Sequence, residues 1–172
     1  MLKHNDLAGH TLEAQLSHRP ELARDEAFMS ALYASTRAEE LALVPWSAEA
    51  KAAFVDSQFK AMRHGYATQF PDGEFLIILL GPQPIGRLVI HRSTTELRLV
   101  DISILPEFRG RGIGSFYLTR LAGEARLADL PFRLHVFKGS RPWHLYQRLG
   151  FQKIGEDGPY EHLELPAGLR PS

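Results

Sequence analysis

The chain has 172 residues, of which 44% are hydrophobic and 23% are charged, as expected for a folded domain, and we predict one domain over residues 1–172. Twenty basic and twenty acidic residues cancel, so no overall field favours nucleic acid or an anionic membrane as a partner. Cysteine is absent, which excludes disulfides, thiolate metal sites and a cysteine nucleophile. The longest apolar run is strand-sized, well below the ~20 residues of a membrane span. The first residues also lack the apolar core of a signal peptide, so we expect a cytoplasmic protein.

The N-terminal part of the chain predicts one strand followed by two helices. Residues 11–15 alternate weakly between apolar and polar types and predict a first strand that extends towards Pro20. Asp25 is a candidate N-cap for a helix that reaches about Thr36. Ser47 is a candidate N-cap for a second, longer helix. The predicted inner face of this second helix consists of Val55, Phe59, Met62 and Tyr66.

The rest of the chain alternates strands and helices. Strands are predicted at 74–80, 85–91, 96–105, 132–137, 151–154 and 160–165, and helices at 114–127 and 141–149. The resulting order is β-α-α-β-β-β-α-β-α-β-β. This order predicts an α/β fold of the α+β type, with a central, mixed but mostly antiparallel sheet of about seven strands flanked by four helices.

The strongest local signal is an apolar strand that runs into a glycine-dense turn and then a helix. The turn reads Arg109-Gly110-Arg111-Gly112-Ile113-Gly114. Glycine has no Cβ, so the backbone can curl tightly and its amides can converge. The first amides of a helix have no internal partner and lie at the positive end of its dipole. Such a turn binds a phosphate or a diphosphate, and the two arginines add positive charge.

Other phosphate-binding turns and a nucleic-acid contact fit this segment less well. A nucleotide P-loop ends in Gly-Lys-Ser/Thr, and no lysine follows the glycines here. The dinucleotide fingerprint separates its last two glycines by two residues, whereas these glycines alternate at 110, 112 and 114. Balanced total charge and the lack of interleaved aromatic residues argue against a nucleic-acid contact at the arginines.

Two segments resemble the signatures of one family. The turn at 109–114 resembles the Arg/Gln-x-x-Gly-x-Gly/Ala signature of the GNAT superfamily of acetyl-CoA-dependent N-acetyltransferases. Downstream, Leu145-Tyr146-x-x-x-Gly150-Phe151 resembles the second signature of that family, and the element order is similar from about residue 11 to 165. The resemblance implies transfer of an acetyl group from acetyl-CoA to a primary amine by direct attack in a ternary complex. The amine acceptor is a small molecule or a protein.

The resemblance also implies which residues hold the cosubstrate. Backbone amides from Arg109 to Ser115 are expected to bind the diphosphate, and main-chain groups of Ile102, Ser103 and Ile104 to hold the pantetheine arm. Ser140 stands where relatives usually carry an asparagine at the start of the last helix, and it is a candidate N-cap. The implied cofactor-binding residues are Ile102, Ser103, Ile104, Arg109, Gly110, Arg111, Gly112, Ile113, Gly114, Ser115 and Ser140.

Three residues are candidates for the chemistry. Tyr146 matches the tyrosine that protonates the departing thiolate in the family, and its reference pKa of ~10 keeps the hydroxyl able to donate at neutral pH. His135 lies in the strand where some relatives carry a glutamate, and a histidine there titrates near neutrality. Asp101 is the only acid inside the strand before the turn, and it is a candidate for catalysis or acceptor binding. The eight histidines show no metal-binding spacing, so no metal is expected.

A second function remains open. Ser140 departs from the usual asparagine, and Trp143 stands where relatives usually have a small residue, so the chain could be a CoA-binding module with little catalytic activity and a regulatory or assembly role. Whether it forms a homodimer is also left open.

Overall fold

The structure, a computed structural model, describes residues 11–140 and 142–168. After residue 15, its α-helices are α1 (Glu26–Ala42), α2 (Ala48–Gln69), α3 (Ile113–Leu127) and α4 (Trp143–Arg148). Its strands are β1 (Leu16–Pro20), β2 (Glu74–Leu80), β3 (Gln83–Arg92), β4 (Leu97–Ile104), β5 (Phe132–Phe137), β6 (Gln152–Asp157) and β7 (Tyr160–Leu165). Residues 11–15 are also helical, and short 3-10 helices cover Ala23–Asp25 and Pro106–Phe108.

The strands form one seven-stranded sheet in the order β1-β2-β3-β4-β5-β7-β6. β4 pairs with β5 in parallel, whereas β1 with β2, β5 with β7 and β6 with β7 are antiparallel. This arrangement confirms the predicted fold class and the mostly antiparallel sheet. Among the described residues, the chain forms two compact units, one reaching Val89 and including Asp101–Arg111, the other comprising Ile90–Val100 and the chain from Gly112 onwards.

The first unit is built on β2 and the two long helices. β2 matches its predicted bounds, and its central residues Ile77 and Ile78 are fully buried. Ile77 clusters with Met29 of α1 and Phe59 of α2. As predicted, Val55 and Phe59 lie on the inner face of α2 and are buried there. Removal of these apolar side chains from water stabilises the packing of both helices on the sheet.

Two N-terminal predictions were wrong in detail. Residues 11–15 are helical, and the strand begins only at Leu16, which pairs with Leu80. Leucine, glutamate, alanine and glutamine all favour a helix, and weak alternation did not outweigh that preference. Helix α1 also continues to Ala42 rather than ending near Thr36, because Leu41 is buried and extends its inner face.

Asp25 occupies the predicted cap position of α1 but makes no cap hydrogen bond to that helix. Its carboxylate instead accepts two bonds from the Arg19 guanidinium, at 2.7 and 2.8 Å, and one from the backbone amide of Leu22 at 2.8 Å. The hydrogen-bonded guanidinium lowers the pKa of Asp25 to about 2. The Asp25 carboxylate therefore binds Arg19 of β1 in place of the helix amides that it was predicted to cap.

Ser47 caps α2 as predicted, since its hydroxyl oxygen accepts the amide of Ala50 at 3.1 Å. We expect Ser47→Ala to lower the free energy of unfolding by about 1 kcal/mol, because the first turn loses this bond. Ser57→Ala, on the exposed side of the same helix, is the matched control and should be neutral or stabilising. Urea unfolding of both variants measures the difference. Equal stabilities would show that the cap contributes nothing.

The second unit packs α3 against β5. The predicted inner face of α3, namely Tyr117, Leu118, Leu121 and Ala125, is buried. Burial raises the pKa of Tyr117 to about 12. Along β5, Phe132, Leu134 and Val136 are buried, so the intervening residues Arg133, His135 and Phe137 lie on the opposite face. β6 and β7 follow the predicted strands around Gly158, with β6 longer than predicted.

Candidate active site

The glycine-dense turn follows β4 and a single 3-10 turn. Phe108 is buried and anchors the segment, and the guanidinium of Arg111 lies 5.2 Å from the centre of its ring. Gly110 and Gly112 then adopt φ values of +73° and +82°. These left-handed conformations cost a residue with a side chain about 1–2 kcal/mol. The backbone conformation therefore explains why glycine occupies both positions.

Gly112 is the cap residue of α3, and it makes no side-chain cap because it has no side chain. The first hydrogen bond closing this helix runs from the amide of Phe116 to the carbonyl of Gly112, at 2.9 Å. The amides of Ile113, Gly114 and Ser115 therefore have no partner within the helix. Apart from the neighbouring backbone of its own helix, no atom of the described residues lies within 4 Å of where a Cβ at Gly114 would be. This helix end has the features that suit an anion.

The strand edge at Ile102–Ile104 lies close to β3. A Cβ on Gly86 would come within 2.5 Å of the carbonyl oxygen of Ser103, so only glycine allows this approach. Arg109 folds back from the turn, and its Nε donates to the carbonyl of Ile104 at 2.8 Å. Its Nη2 also donates to Ser35 of α1 at 3.3 Å. No pattern in the sequence indicated these hydrogen bonds of the Arg109 side chain. One of them occupies the Ile104 carbonyl, which the resemblance implied as a pantetheine-binding group.

Asp101 has a partner that the sequence analysis missed. Nη2 of Arg87 donates to its carboxylate, and the hydroxyl of Ser103 lies 3.4 Å from the other carboxylate oxygen. Arg87 comes from the middle of β3 and is only 4% exposed. The sequence did contain a signal for this partner, because Arg87 is a charged residue inside an otherwise apolar strand. Because its negative charge is compensated by Arg87, Asp101 is not a free carboxylate in this structure.

A cavity of about 260 Å³ lies beside Arg87 within the first unit. It is lined by Glu21, Arg63, Tyr66, Ala67, Phe75 and Arg87. Nη2 of Arg63 donates to Glu21 at 2.6 Å, and the Glu21 side chain is only 12% exposed. The Arg63–Glu21 ion pair therefore lines the cavity together with Arg87, whose own ion-pair partner, Asp101, is not part of the lining.

His135 lies on the exposed face of β5, directly across from His162 on β7. The two imidazole rings stack with centres 3.9 Å apart. Nη1 of Arg98 lies 3.1 Å from Nε2 of His135, and because arginine can only donate, Nε2 is the acceptor. Burial, then the neighbouring His162, then Arg98 lower the pKa of His135. The ring is therefore neutral at pH 7, with its acceptor lone pair engaged by Arg98.

Removal of the charge on Arg98 should raise the pKa of His135. We expect Arg98→Gln to raise the pKa of His135 only in part, because burial and His162 still lower it. The substitution also removes the hydrogen bond from Arg98 to Glu96, and the carboxylate of Glu96 raises the pKa of His135. Proton NMR titration of the histidine rings measures the shift, with the exposed Arg126→Gln as control. An unchanged or lower pKa in Arg98→Gln would contradict this electrostatic coupling.

Tyr146 is buried, with 6% exposure, and packs edge-on against Phe151 with ring centres 5.7 Å apart. Helix α4 ends just after it: the amide of Phe151 donates to the carbonyl of Tyr146 at 3.0 Å, and that of Gly150 to Gln147 at 3.0 Å. This pair of bonds is a Schellman motif, which needs a left-handed residue at Gly150, where φ is +92°. The Tyr-x-x-x-Gly-Phe spacing thus fixes the position of Tyr146.

The predicted cap role of Ser140 was wrong. Pro142 takes the cap position of α4, and no side chain caps the helix. The Ser140 carbonyl instead accepts the amide of Trp143 at 3.1 Å. Its hydroxyl oxygen is buried, and no residue in the described parts of the chain is hydrogen-bonded to it. The proline fixes the helix start two residues later than the sequence analysis placed the cap. Arg141, the predicted start of this helix, lies outside the described residues.

Within residues 11–140 and 142–168, no helix is long and apolar enough to cross a membrane. The same residues contain no group of three or more histidine, aspartate or glutamate side chains placed to hold a metal ion.

Comparison with known families gives this site a context. A model of the acetyltransferase (GNAT) family matches residues 24–151, which is most of the chain. The chain belongs to the GNAT family of acetyltransferases. The matched range contains the glycine turn, the Asp101 strand and the Tyr146 helix.

Solved GNAT structures share this fold at low sequence identity. The PaiA N-acetyltransferase of Thermoplasma acidophilum, solved in complex with coenzyme A, is 17% identical to this chain and has a TM-score of 0.64. The alignment covers 88% of this chain and 98% of that chain. An acetyltransferase of Thermus thermophilus is 18% identical, with a TM-score of 0.62 and coverages of 88% and 97%. A histone acetyltransferase HPA2-related acetyltransferase of Corynebacterium glutamicum is 18% identical, with a TM-score of 0.62 and coverages of 92% and 99%.

Proposed function

We propose that this chain transfers an acetyl group from acetyl-CoA to a primary amine by direct attack in a ternary complex. The observation that carries the proposal is the start of α3, where Gly112 leaves the next three amides without partners in the helix. Membership of an acetyltransferase family supports the same conclusion. A relative with the same fold was solved with coenzyme A, which fits this choice of cosubstrate.

The chain offers suitable groups for the cosubstrate. Backbone amides between Arg109 and Ser115 would bind the diphosphate, with the helix dipole favouring its negative charge. Main-chain groups of Ile102–Ile104 would hold the pantetheine arm, which requires Arg109 to give up the Ile104 carbonyl that it now contacts. The buried Ser140 hydroxyl, which has no partner among the described side chains and backbone, is available as a further donor.

The proposed reaction forms a C–N bond and breaks a C–S bond. The neutral amine attacks the thioester carbonyl, the nitrogen of the tetrahedral intermediate loses a proton, and the intermediate collapses with departure of the thiolate. Tyr146 donates its hydroxyl proton to that thiolate. The proton lost from the nitrogen passes through solvent and restores the Tyr146 hydroxyl after each turnover. An amine with a pKa of ~10.4 must first lose a proton, which costs about 4.6 kcal/mol at neutral pH unless a base accepts it.

Of the two predicted bases, His135 is better suited to accept the amine proton. Its lowered pKa keeps the imidazole neutral, and Nε2 must give up the hydrogen bond from Arg98 before that nitrogen can accept a proton. Asp101 is held by the buried Arg87, so a proton on its carboxylate would leave that guanidinium without its counter-ion. We assign Asp101 to positioning of Arg87 rather than to proton transfer.

The test is release of free CoA from acetyl-CoA by the purified chain with a panel of small amines and lysine-containing peptides, followed by a thiol reagent. Acetylated amine in equal amount is the expected product. Calorimetry with CoA separates the alternatives. Tight CoA binding without release on any amine would support the non-catalytic CoA-binding module, and absence of CoA binding would overturn both readings.

A further inference from the structure

His135 and His162 form a cross-strand pair on the face of β5 opposite its buried residues. The two residues are direct register partners, and their rings stack with centres 3.9 Å apart and planes only 12° apart. Planar rings that are this close and this parallel are in van der Waals contact over much of their faces. The contact therefore prevents the ring of His135 from tilting towards β7.

Arg98 holds the same ring by its edge. Nη1 of Arg98 lies 3.1 Å from Nε2 of His135, and Arg98 donates two further hydrogen bonds, at 2.6 and 3.1 Å, to the carboxylate of Glu96. Because the guanidinium is planar and Glu96 fixes its position, the direction of the bond to Nε2 is fixed as well. His135 thus has one contact on its face and one on its edge, and together they define the plane of the ring.

His162 is itself placed by two neighbouring strands. β7 lies between β5 and β6 in the sheet, and the register partner of His162 on β6 is Gly155. A Cβ on Gly155 would lie 3.7 Å from Nδ1 of His162, so this edge of the ring lies close to the β6 backbone. His162 is half-buried, whereas His135 is exposed. The more enclosed ring is therefore suited to support the more exposed one.

The charges around the pair oppose addition of a proton to His135. Burial, His162 and Arg98 lower its pKa, and the smaller effects of Asp157 and Glu96 raise it. A proton on Nε2 would also point an N–H group at an N–H group of Arg98. The charged and titratable groups that act on the ring are Arg98 and Glu96 on β4, His162 on β7 and Asp157 on β6. The ring is neutral in this arrangement, which is the state that a general base requires.

We propose that His162 is a positioning residue for His135 in acetyl transfer. Its stacked ring fixes the plane of the His135 imidazole, and with it the direction in which Nε2 accepts a proton from the amine. His162 acts through His135 and does not itself need to contact the amine. The inference rests on the proposed role of His135 as the base, but the coupling of the two rings is measured without any reaction.

Two variants separate the ring contact from the rest of the side chain. His162→Phe keeps a ring that can stack, and His162→Thr removes the ring but leaves a residue that suits a strand. Proton NMR titration of His162→Thr should show a higher pKa of His135, because both the covering ring and its charge are lost. An unchanged or lower pKa of His135 in His162→Thr would overturn the proposal.

Acetylation kinetics at alkaline pH isolate the positioning role, because His135 is then neutral in every variant. We expect His162→Thr to lower kcat/KM about tenfold, a part of the ~100–10,000-fold that a positioned base contributes, and His162→Phe to stay within a few-fold of the wild type. Below neutrality, the acid limb of the kcat/KM profile should move to higher pH in His162→Thr, together with the pKa of His135. Full activity of His162→Thr, or equal losses in both variants, would contradict the positioning role.

The matched control is His64→Thr on the exposed side of α2, where histidine and threonine have similar helix propensities. This variant should keep the wild-type pKa of His135 and the wild-type pH profile. An unmoved His135 titration in His162→Thr together with normal wild-type acetylation would refute only this inference. If the wild type binds CoA but acetylates no amine, the proposed function and the role of His162 in it both fail.

Discussion

Replacement of Gly114 by aspartate is expected to weaken CoA binding by about tenfold or more while it stabilises helix α3. A carboxylate in the first turn interacts favourably with the helix dipole, by about 0.3–1 kcal/mol, and glycine is a poor helix former. The same carboxylate would lie among the amides of residues 113–115, where the diphosphate is proposed to bind. Like charges ~4 Å apart repel by about 1 kcal/mol in water and more at a protein surface.

The opposite signs of the two effects make Gly114→Asp informative, because general damage would lower stability and affinity together. Gly114→Ala is the matched control, because a Cβ there meets no atom of the described residues within 4 Å outside its own helix backbone, and alanine adds no charge. Calorimetric CoA titration and thermal unfolding of both variants measure the two effects. If Gly114→Asp binds CoA as tightly as Gly114→Ala, the diphosphate does not bind at this helix end.

Tyr146→Phe is expected to lower kcat by about a hundredfold, the usual size of a general-acid contribution. The phenyl ring keeps the packing against Phe151 and the backbone bonds that end α4, so only the hydroxyl is lost. If Tyr146 donates a proton to the departing thiolate, the loss appears in kcat, while CoA affinity stays within a few-fold of the wild type.

The control for Tyr146→Phe is Tyr160→Phe, which removes a hydroxyl from an exposed tyrosine on β7. Steady-state kinetics with a saturating amine, together with CoA titration, give kcat and CoA affinity separately for each variant. An unchanged kcat in Tyr146→Phe would show that Tyr146 is a packing residue.

The parts of the site that sequence predicted well are those fixed by local chain geometry. Gly110 and Gly112 have positive φ values, and the helix after them begins at Ile113, one residue before its predicted start. Gly150 likewise has the left-handed conformation that ends α4. In each case a positive φ is required by a turn of only a few residues, so the presence of glycine is enough to predict it.

The parts that sequence did not predict depend on which strands become neighbours. Arg87 meets Asp101 because β3 and β4 are adjacent, and His135 stacks on His162 because β5 pairs with β7 in that register. Asp25 binds Arg19 instead of capping α1, although the two residues are only six apart, because the chain turns after β1 and brings the guanidinium to the carboxylate. Side-chain partners of this kind follow from tertiary pairing, which a periodic pattern does not specify.

The cavity beside Arg87 was also beyond the sequence analysis. Its lining comes from the segment after β1, from α2, from β2 and from β3, which are far apart along the chain. Glu21 and Arg63 were each compatible with an ordinary solvated charge, and their ion pair forms only when α2 packs beside the segment after β1.

Amide NMR of the ¹⁵N-labelled chain during titration with CoA tests most directly whether the backbone at the start of α3 binds a diphosphate. The amide resonances of Gly112, Gly114 and Ser115 should shift strongly with CoA and remain unchanged with pantetheine, which has no diphosphate. If CoA saturates the protein while these three resonances do not move, or if pantetheine moves them equally, the assignment of this turn to the diphosphate is wrong.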